Sequence, residues 1–474
     1  MQVRNPRTGK ADYEITPLDG ESIGSISQNL RAAQIDWAAK TPAERGEILS
    51  RWADAIEANL ATIISALTTD TGRAGISKIE VAGVPGQIRR WAEQAPHLIA
   101  QGELTDQSTS QPTITTSTQL VPYQLVGVIS PWNFPMTLAL IDAIPALMAG
   151  CAVLIKPSEV TPRFIKPLME TIKNVPELAA LLSIVEGDGA TGAAMIAHVD
   201  YVCFTGSVAT GRKVGEAAAK AFIPASLELG GKDPMIVLAS ADPEKAAATA
   251  LRASIVNTGQ ACQSIERVYV AKEIAGEFLD SLVTQAEAVE LNHPDINKGH
   301  IGPFIFGKQA EIAQSQIDDA VKKGAEILTG GKVENLDGGR YLRPTVLTNV
   351  TSQMSVISDE NFGPVIPVRA FDTIDEAVMM ANASEFGLSA AVIAGSAEEA
   401  EQVGCRLNAG GVSINDGSLT SMVWEAEKSS FKNSGLGASR MGSTGLMRFF
   451  RRRVLIRQNG EAAKINDFAE QNFV

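Results

Sequence analysis

The chain has 474 residues, too many for one ordinary core, so two or three domains are expected. Its 45% hydrophobic and 20% charged residues are the make-up of a soluble globular protein, and a net charge of −13 argues against general nucleic-acid affinity, because phosphates would be repelled. Cys151, Cys203, Cys262 and Cys405 lie far apart with no C-x-x-C pair, which suggests neither a metal site nor a disulfide framework and fits thiols in a reducing compartment.

The first residues, MQVRNPRTGKADYEI, show no apolar core flanked by basic residues, so no signal peptide is expected and a cytoplasmic enzyme is the default. Residues 28–100 read as helices. Leu30, Ile35 and Trp37, then Ile48, Trp52, Ile56 and Leu60, recur at helical spacing, and Thr41-Pro42-Ala43-Glu44 reads as an N-cap with Pro in the first turn. Residues 104–120, rich in Ser, Thr and Gln with β-branched alternation, suit an exposed hairpin or arm, a plain linker being the alternative. The most apolar window, Met136 to Ile155, contains Asp142, Pro145 and Gly150. It therefore predicts a buried helix and a strand, not a membrane span.

From Tyr123 onward apolar runs alternate with turns and helical stretches. Leu125 to Ile129, Ala152 to Ile155 and Tyr201 to Phe204 form one series. RVYVA, PTVLTNV, PVIPVRAF, SAAVIAG and GGVSIN form a second after Glu266. Such alternation implies an α/β fold with parallel sheets covered on both faces, here two units with a cleft between them.

Several segments carry candidate chemistry. Cys262, in NTGQACQSIERVYV, has polar neighbours and a loop setting, whereas the other three cysteines lie in apolar segments and read as packing. Glu228, in ASLELGGKDPMIVL, is a carboxylate near the end of a strand, open to reading as a base or as half of a structural ion pair. The adjoining Gly230-Gly231 allows close backbone approach to something bulky. Asn133, in the rigid turn PWNFP, is either an amide donor to an oxyanion or the side chain of an Asx-turn. Lys156 and Glu159 follow a strand, where the mouth of a parallel sheet takes ligands. Gly206 and Ser207 stand at a strand-to-helix turn whose N–H groups suit an anion, although no G-x-G-x-x-G is present.

Together, PWNFP, KPSE, FTGS, LELGGK, GQ-x-C and E-x-FGPV (Glu360 to Val365) resemble the aldehyde dehydrogenase superfamily in order and spacing over roughly residues 20 to 440. The resemblance implies that Cys262 attacks the aldehyde carbonyl, that Asn133 and the Cys262 N–H hold the oxyanion, and that Glu228 activates the water that hydrolyses the thioester. It places Lys156 and Glu159 on the adenosine ribose, Gly206 and Ser207 on the pyrophosphate, and Glu360 on the nicotinamide ribose with Phe362 nearby. Trp132, Gly189 and Gly192 fall where the family lines its nucleotide pocket. The cofactor implied is NAD, with NADP open. Glu159 favours NAD because it would repel a 2′-phosphate, a repulsion that Lys156 and Arg163 could soften.

The implied architecture is a Rossmann-type nucleotide-binding domain (1–103 and 123–229), a catalytic α/β domain (230–436) and a β oligomerisation element (104–122 and 437–474) serving a homodimer or homotetramer. The family's P-F-G-G-x-K-x-S-G stretch has become EKSSFKNSG (Glu427 to Gly435), which alters the substrate mouth. Slim residues, Leu138, Ile141, Val256, Ser418 and Thr420, with Trp424 and Phe431 at the mouth, predict a roomy tunnel for aromatic or medium-chain aldehydes. The rival readings are a CoA-acylating member, against which Glu228 argues, and a non-catalytic structural or binding protein on the same fold.

Overall fold

The structure, a computed structural model, describes residues 1–473. The helices Gly20–Ala39, Pro42–Glu57, Leu60–Thr71 and Ala74–Gly102 come first. The second begins with the expected cap: Thr41 Oγ1 accepts from the Glu44 N–H (3.3 Å), and Glu44 Oε2 accepts from the Thr41 N–H (2.7 Å). The buried Trp37 and Trp52 indoles donate to the Leu147 carbonyl (2.9 Å) and to Thr171 Oγ1 (3.0 Å), so neither N–H is left unpaired. Ile35 departs from the predicted apolar stripe. It is 64% exposed, and Gln34 takes the inward position, donating to the Gly150 carbonyl at 2.9 Å. Leu60 is only half-buried.

A six-stranded sheet runs in the order Gly435–Leu436, Ala225–Glu228, Tyr201–Thr205, Leu125–Ile129, Ala152–Lys156, Leu182–Ile184, parallel except at the first pair. Leu125–Ile129, Ala152–Lys156 and Tyr201–Thr205 are buried throughout, as continuous apolar runs in a covered parallel sheet should be. The apolar window became the helix Pro135–Ala149 followed by Ala152–Lys156. Among the described residues no helix is long and apolar enough to cross a membrane.

The chain leaves Leu125–Ile129 for one neighbour and later returns to the other, so a crevice opens at the carboxyl ends of these strands. Ser130, Lys156, Gly206 and Glu228 all stand at or just past those ends.

A second, seven-stranded sheet runs Glu326–Thr329, Thr345–Thr348, Val365–Phe371, Ile265–Ala271, Asp233–Val237, Ser389–Ile393, Gly411–Ile414, again parallel except at its first pair. The Thr/Ser-rich arm forms Gln107–Ser108 and Ile114–Pro122. The second of these pairs antiparallel with Phe450–Gln458, from Phe450 opposite Pro122 to Gln458 opposite Ile114. Leu446 and Phe449, just before that last strand, are packed into the core around the six-stranded sheet.

Candidate active site

Cys262 lies between a 3-10 turn, Val256–Gly259, and the strand Ile265–Ala271. Asn257, Thr258 and Gly259 adopt φ of 55°, 60° and 69°, three successive left-handed residues, each non-glycine one costing about 1–2 kcal/mol. Only glycine fits at 259, where a Cβ would collide with the Gly363 carbonyl. The surroundings hold the turn through polar contacts. Asn257 Nδ2 donates to the Asn133 carbonyl (3.0 Å), Thr258 Oγ1 accepts from Arg73 Nη1 (3.0 Å), and Gln260 Oε1 accepts from the Ile305 N–H (2.9 Å). Asn133 Nδ2 donates in turn to the Gln260 carbonyl at 3.0 Å. The two loops are thus fastened to each other, and the Asn133 amide serves this long-range link, not a local Asx-turn.

Burial pushes the Cys262 thiol up to about 12, against the opposing pull of Lys428. Cys151 and Cys203 are buried in the first core and Cys405 is exposed. Glu228 ends its strand with Oε2 accepting from Ser430 Oγ at 3.0 Å and Oε1 lying 4.0 Å from Arg440 Nε. The next two positions explain the glycine pair. A Cβ on Gly230 would stand 2.6 Å from Glu360 Oε1, and one on Gly231 would stand 2.6 Å from the Cys262 carbonyl. The Gly231 N–H donates to Glu360 Oε1 at 3.0 Å, while burial and the nearby Glu266 raise the Glu360 carboxyl.

Behind them Lys232 and Glu266 form a fully buried pair, Nζ to Oε2 at 2.8 Å. Glu266 also accepts the N–H groups of Asn361 and Phe362, each at 2.9 Å, and so fixes the loop that carries Glu360. Phe362, at φ 49°, stacks edge-on against Trp132 with ring centroids 5.4 Å apart.

A cavity of about 640 Å³ fills the crevice of the six-stranded sheet, and Trp132, Lys156, Glu159, Gly189, Gly192, Gly206, Ser207, Glu360 and Phe362 all line it. Lys156 Nζ donates to Glu159 Oε2 (3.2 Å) and to the Gly187 carbonyl (3.2 Å). Gly189 and Gly192 lie on the helix Gly189–Ile196, and Ser207 caps Val208–Ala221, a helix of 14 residues. Arg163 is committed to Asp12 and Asp70, which leaves Lys156 as the cation beside Glu159.

The family model described as "Aldehyde dehydrogenase family" matches residues 1–455. The chain belongs to the aldehyde dehydrogenase family. It is 36% identical to "Putative succinate-semialdehyde dehydrogenase [NADP(+)]" of Mycolicibacterium smegmatis, over 93% of this chain and 86% of that one. It is also 34% identical to "4,4'-diapolycopene aldehyde oxidase" of a Methylomonas species, over 85% of this chain and 77% of that one. Its fold matches the solved structure of "Putative Aldehyde Dehydrogenase PutA" from Anabaena variabilis with a TM-score of 0.96, at 50% identity and 98% coverage of both chains. Betaine aldehyde dehydrogenase from Staphylococcus aureus, solved in complex with NAD+, matches with a TM-score of 0.91 at 28% identity, over 98% of this chain and 92% of that one.

On the other side of Cys262 this aldehyde dehydrogenase has a second cavity of about 660 Å³. Leu138, Ile141, Val256, Ser418 and Trp424 are among its walls, as the sequence predicted. Thr420 instead binds Gln263 Oε1, and Phe431 sits in a two-residue strand beside Gly387; neither lines the cavity. Gly83 and Gly86, on the helix Ala74–Gly102, also line it, and a Cβ on either would meet nothing within 4 Å among the described residues beyond its own turn of helix. Ile79, 71% exposed, and Met422, 64% exposed, form an apolar rim.

Sequence reading missed Glu80, which is buried on this wall and accepts the N–H groups of Met136 (2.6 Å) and Thr137 (2.7 Å). It thereby caps the helix that follows Asn133. It also missed Lys232, Glu266 and Arg440. The signal was available for Glu80, a charge inside the run Ile79 to Val84; Glu266, next to Arg267, gave no such signal.

Proposed function

We propose that the chain oxidises an aldehyde to a carboxylic acid with NAD, through a thioester on Cys262. The observation that carries this reading is that the two cavities share one wall, made by Asn133, Leu138, Thr205, Glu228, Leu229 and Cys262. A dinucleotide suits the first cavity. The crevice sits at the strand reversal, the 14-residue helix presents its N-terminus beside Gly206, and Ser130 Oγ is buried on that wall without a partner among the described residues. Ser130, Lys156, Gly206, Ser207 and Glu360 would hold the dinucleotide, which would supply the two-electron oxidation of the carbon bonded to sulfur.

The protein does the rest. Because burial keeps the Cys262 thiol protonated near neutrality, the thiol gives its proton up to solvent as the sulfur attacks the carbonyl carbon, which leaves the Glu228 carboxylate on the same wall free for the later step. An amide carries two N–H donors, so Asn133 can hold Gln260 with one and offer the other to the oxyanion, together with the Cys262 N–H. Glu228 then takes a proton from water as the water oxygen bonds to the thioester carbon and the C–S bond breaks. The acid leaves and the thiol is restored. A homodimer or homotetramer is part of the same reading, supported by the exposed edge strand Phe450–Gln458.

The substrate we favour is an apolar aldehyde, aromatic or medium-chain. Leu138, Ile141, Val256, Met422 and Trp424 supply apolar wall, and each buried CH₂ is worth about 0.8 kcal/mol, or roughly fourfold. A second reading, an acid semialdehyde, is favoured by the Mycolicibacterium relative's name and by Arg90, Arg252 and Lys428 on the wall. Arg252 is tied to Asp416, Arg440, also on this wall, to Asp142 and Thr205, and Arg90 lies over the Trp424 ring, which leaves Lys428 to meet a carboxylate. Octanal, benzaldehyde, acetaldehyde and succinate semialdehyde, each assayed without CoA and with NAD or NADP, decide the matter. Reduction of cofactor by octanal or benzaldehyde with higher kcat/KM than by acetaldehyde supports the apolar reading. A preference for succinate semialdehyde replaces it, and no turnover without CoA, or none at all, overturns the reaction proposed.

A further inference from the structure

We infer that Arg440 is a positioning residue for Glu228, supplying its counter-charge and, with Ser430, a two-point hold. This rests on the reading of Glu228 as the base for hydrolysis. The starting observation is Asp142, a carboxylate fully buried in the otherwise apolar helix Pro135–Ala149. Two buried guanidinium groups meet it, Arg440 through Nη2 at 3.1 Å and Arg448 through Nη2. Two cations and one anion leave this cluster with one positive charge in excess, and guanidinium does not shed its proton in proteins.

The excess charge is aimed. Arg440 Nη2 also donates to Thr205 Oγ1 at 2.6 Å, so the guanidinium is fixed between a helix and the end of a strand. Its Nε is buried without a hydrogen-bond partner among the described residues and lies 4.0 Å from Glu228 Oε1. A buried charged donor left unpaired is costly, and Glu228 is the anion within reach. The other carboxylate oxygen is on Ser430, at the position where the family's P-F-G-G stretch has become EKSS. Arg440 exchanges no proton. It keeps the carboxylate on the wall shared with Cys262 while Glu228 takes the proton from water, the C–O bond forms and the C–S bond breaks.

The test separates acylation from hydrolysis. In Arg440→Gln, the burst of NADH near one equivalent per active site is expected to remain while the steady-state rate falls by about tenfold or more. Hydroxylamine attacks a thioester without a general base and should restore turnover. Arg448→Lys, which alters the same cluster without touching Glu228, should lower thermal stability and leave the burst-to-steady-state ratio unchanged. If Arg440→Gln does not fold, Arg440→Lys serves. One ammonium cannot reach Asp142, Thr205 and Glu228 together, so the same shift is expected in smaller degree. An unchanged ratio in a folded Arg440 variant, or a lost burst, overturns the inference. Glu228→Gln is run alongside. Normal turnover there removes the reading on which the inference rests, whereas a slow Glu228→Gln beside a normal Arg440 variant removes the Arg440 role alone.

Discussion

Replacing Glu266 by Gln tests how the nucleotide side of the site is held. In the native protein the Glu266 carboxylate has its Oε2 on Lys232 Nζ at 2.8 Å and on the Asn361 N–H, and its Oε1 on the Phe362 N–H. A carboxamide keeps one acceptor oxygen but turns an NH₂ toward either the ammonium or a backbone N–H, two donors face to face. Lys232 is fully buried, so its charge would lose its compensation. Breaking one side of such a pair costs about 3–5 kcal/mol. For a unit the size of the one around the seven-stranded sheet, that corresponds to a fall in Tm on the order of 10 °C. The double substitution Lys232→Met with Glu266→Leu removes both charges and should recover part of that loss, the rest remaining because two buried N–H groups lose their acceptor.

Function should not recover in the double variant, because the N–H groups of Asn361 and Phe362 would still lack their acceptor and Glu360 would be loosened. KM for the dinucleotide should therefore stay raised. Thermal unfolding and cofactor titration of the three proteins give both readouts. A single variant within about 1 kcal/mol of the parent, or a double no more stable than the single, would refute the reasoning.

Three further outcomes are expected. Glu159→Gln should move the NADP-to-NAD ratio of kcat/KM upward by about tenfold, since it removes a repelling carboxylate and releases Lys156 for a 2′-phosphate; an unchanged ratio counts against Glu159 as the discriminator. Burial raises Glu80 to about 8, so the folded chain keeps a proton that the unfolded chain gives up above its ordinary carboxyl range. That contribution is fully present below about pH 4.5 and is lost as pH rises through 8, so Glu80→Gln should flatten the fall in denaturation midpoint over that window, and parallel curves would show otherwise. Removing residues 450–474 takes away the partner of Ile114–Pro122, and association should weaken; light scattering that gives the intact protein the monomer mass of 50.1 kDa would refute the oligomer.

What the sequence made legible was local. The apolar runs Leu125–Ile129 and Tyr201–Thr205 are strands because each is short, β-branched or aromatic and bounded by a turn, and Thr41 caps its helix within four residues. The six motifs carried the family because each is contiguous. The missed features join distant positions. Asp142 meets Arg440 and Arg448 about 300 residues away, and Glu80 caps a helix that begins 55 positions later. Periodicity has no access to such pairs; only the oddity of a charge in an apolar run points to them. The substrate wall was half legible for a related reason. Leu138 and Ile141 follow helical spacing from a motif, whereas Thr420 lies in a three-residue 3-10 turn and Phe431 in a two-residue strand, elements too short to show a period.

The two cavities differ in how freely their walls can change over generations. A side chain at Gly230 would displace the Glu360 carboxylate and one at Gly231 would strike the Cys262 carbonyl, so lineages should vary little at both. Gly83 and Gly86 lie at the opposite extreme, lining the second cavity with open space where a Cβ would stand. Any residue with better helix propensity would stabilise that helix by roughly 0.5–1 kcal/mol while reshaping the cavity. On the proposed reading of that cavity, a change in the aldehydes accepted would come with a gain in stability and not at its expense, and descendants should diverge in what they consume while keeping the same chemistry.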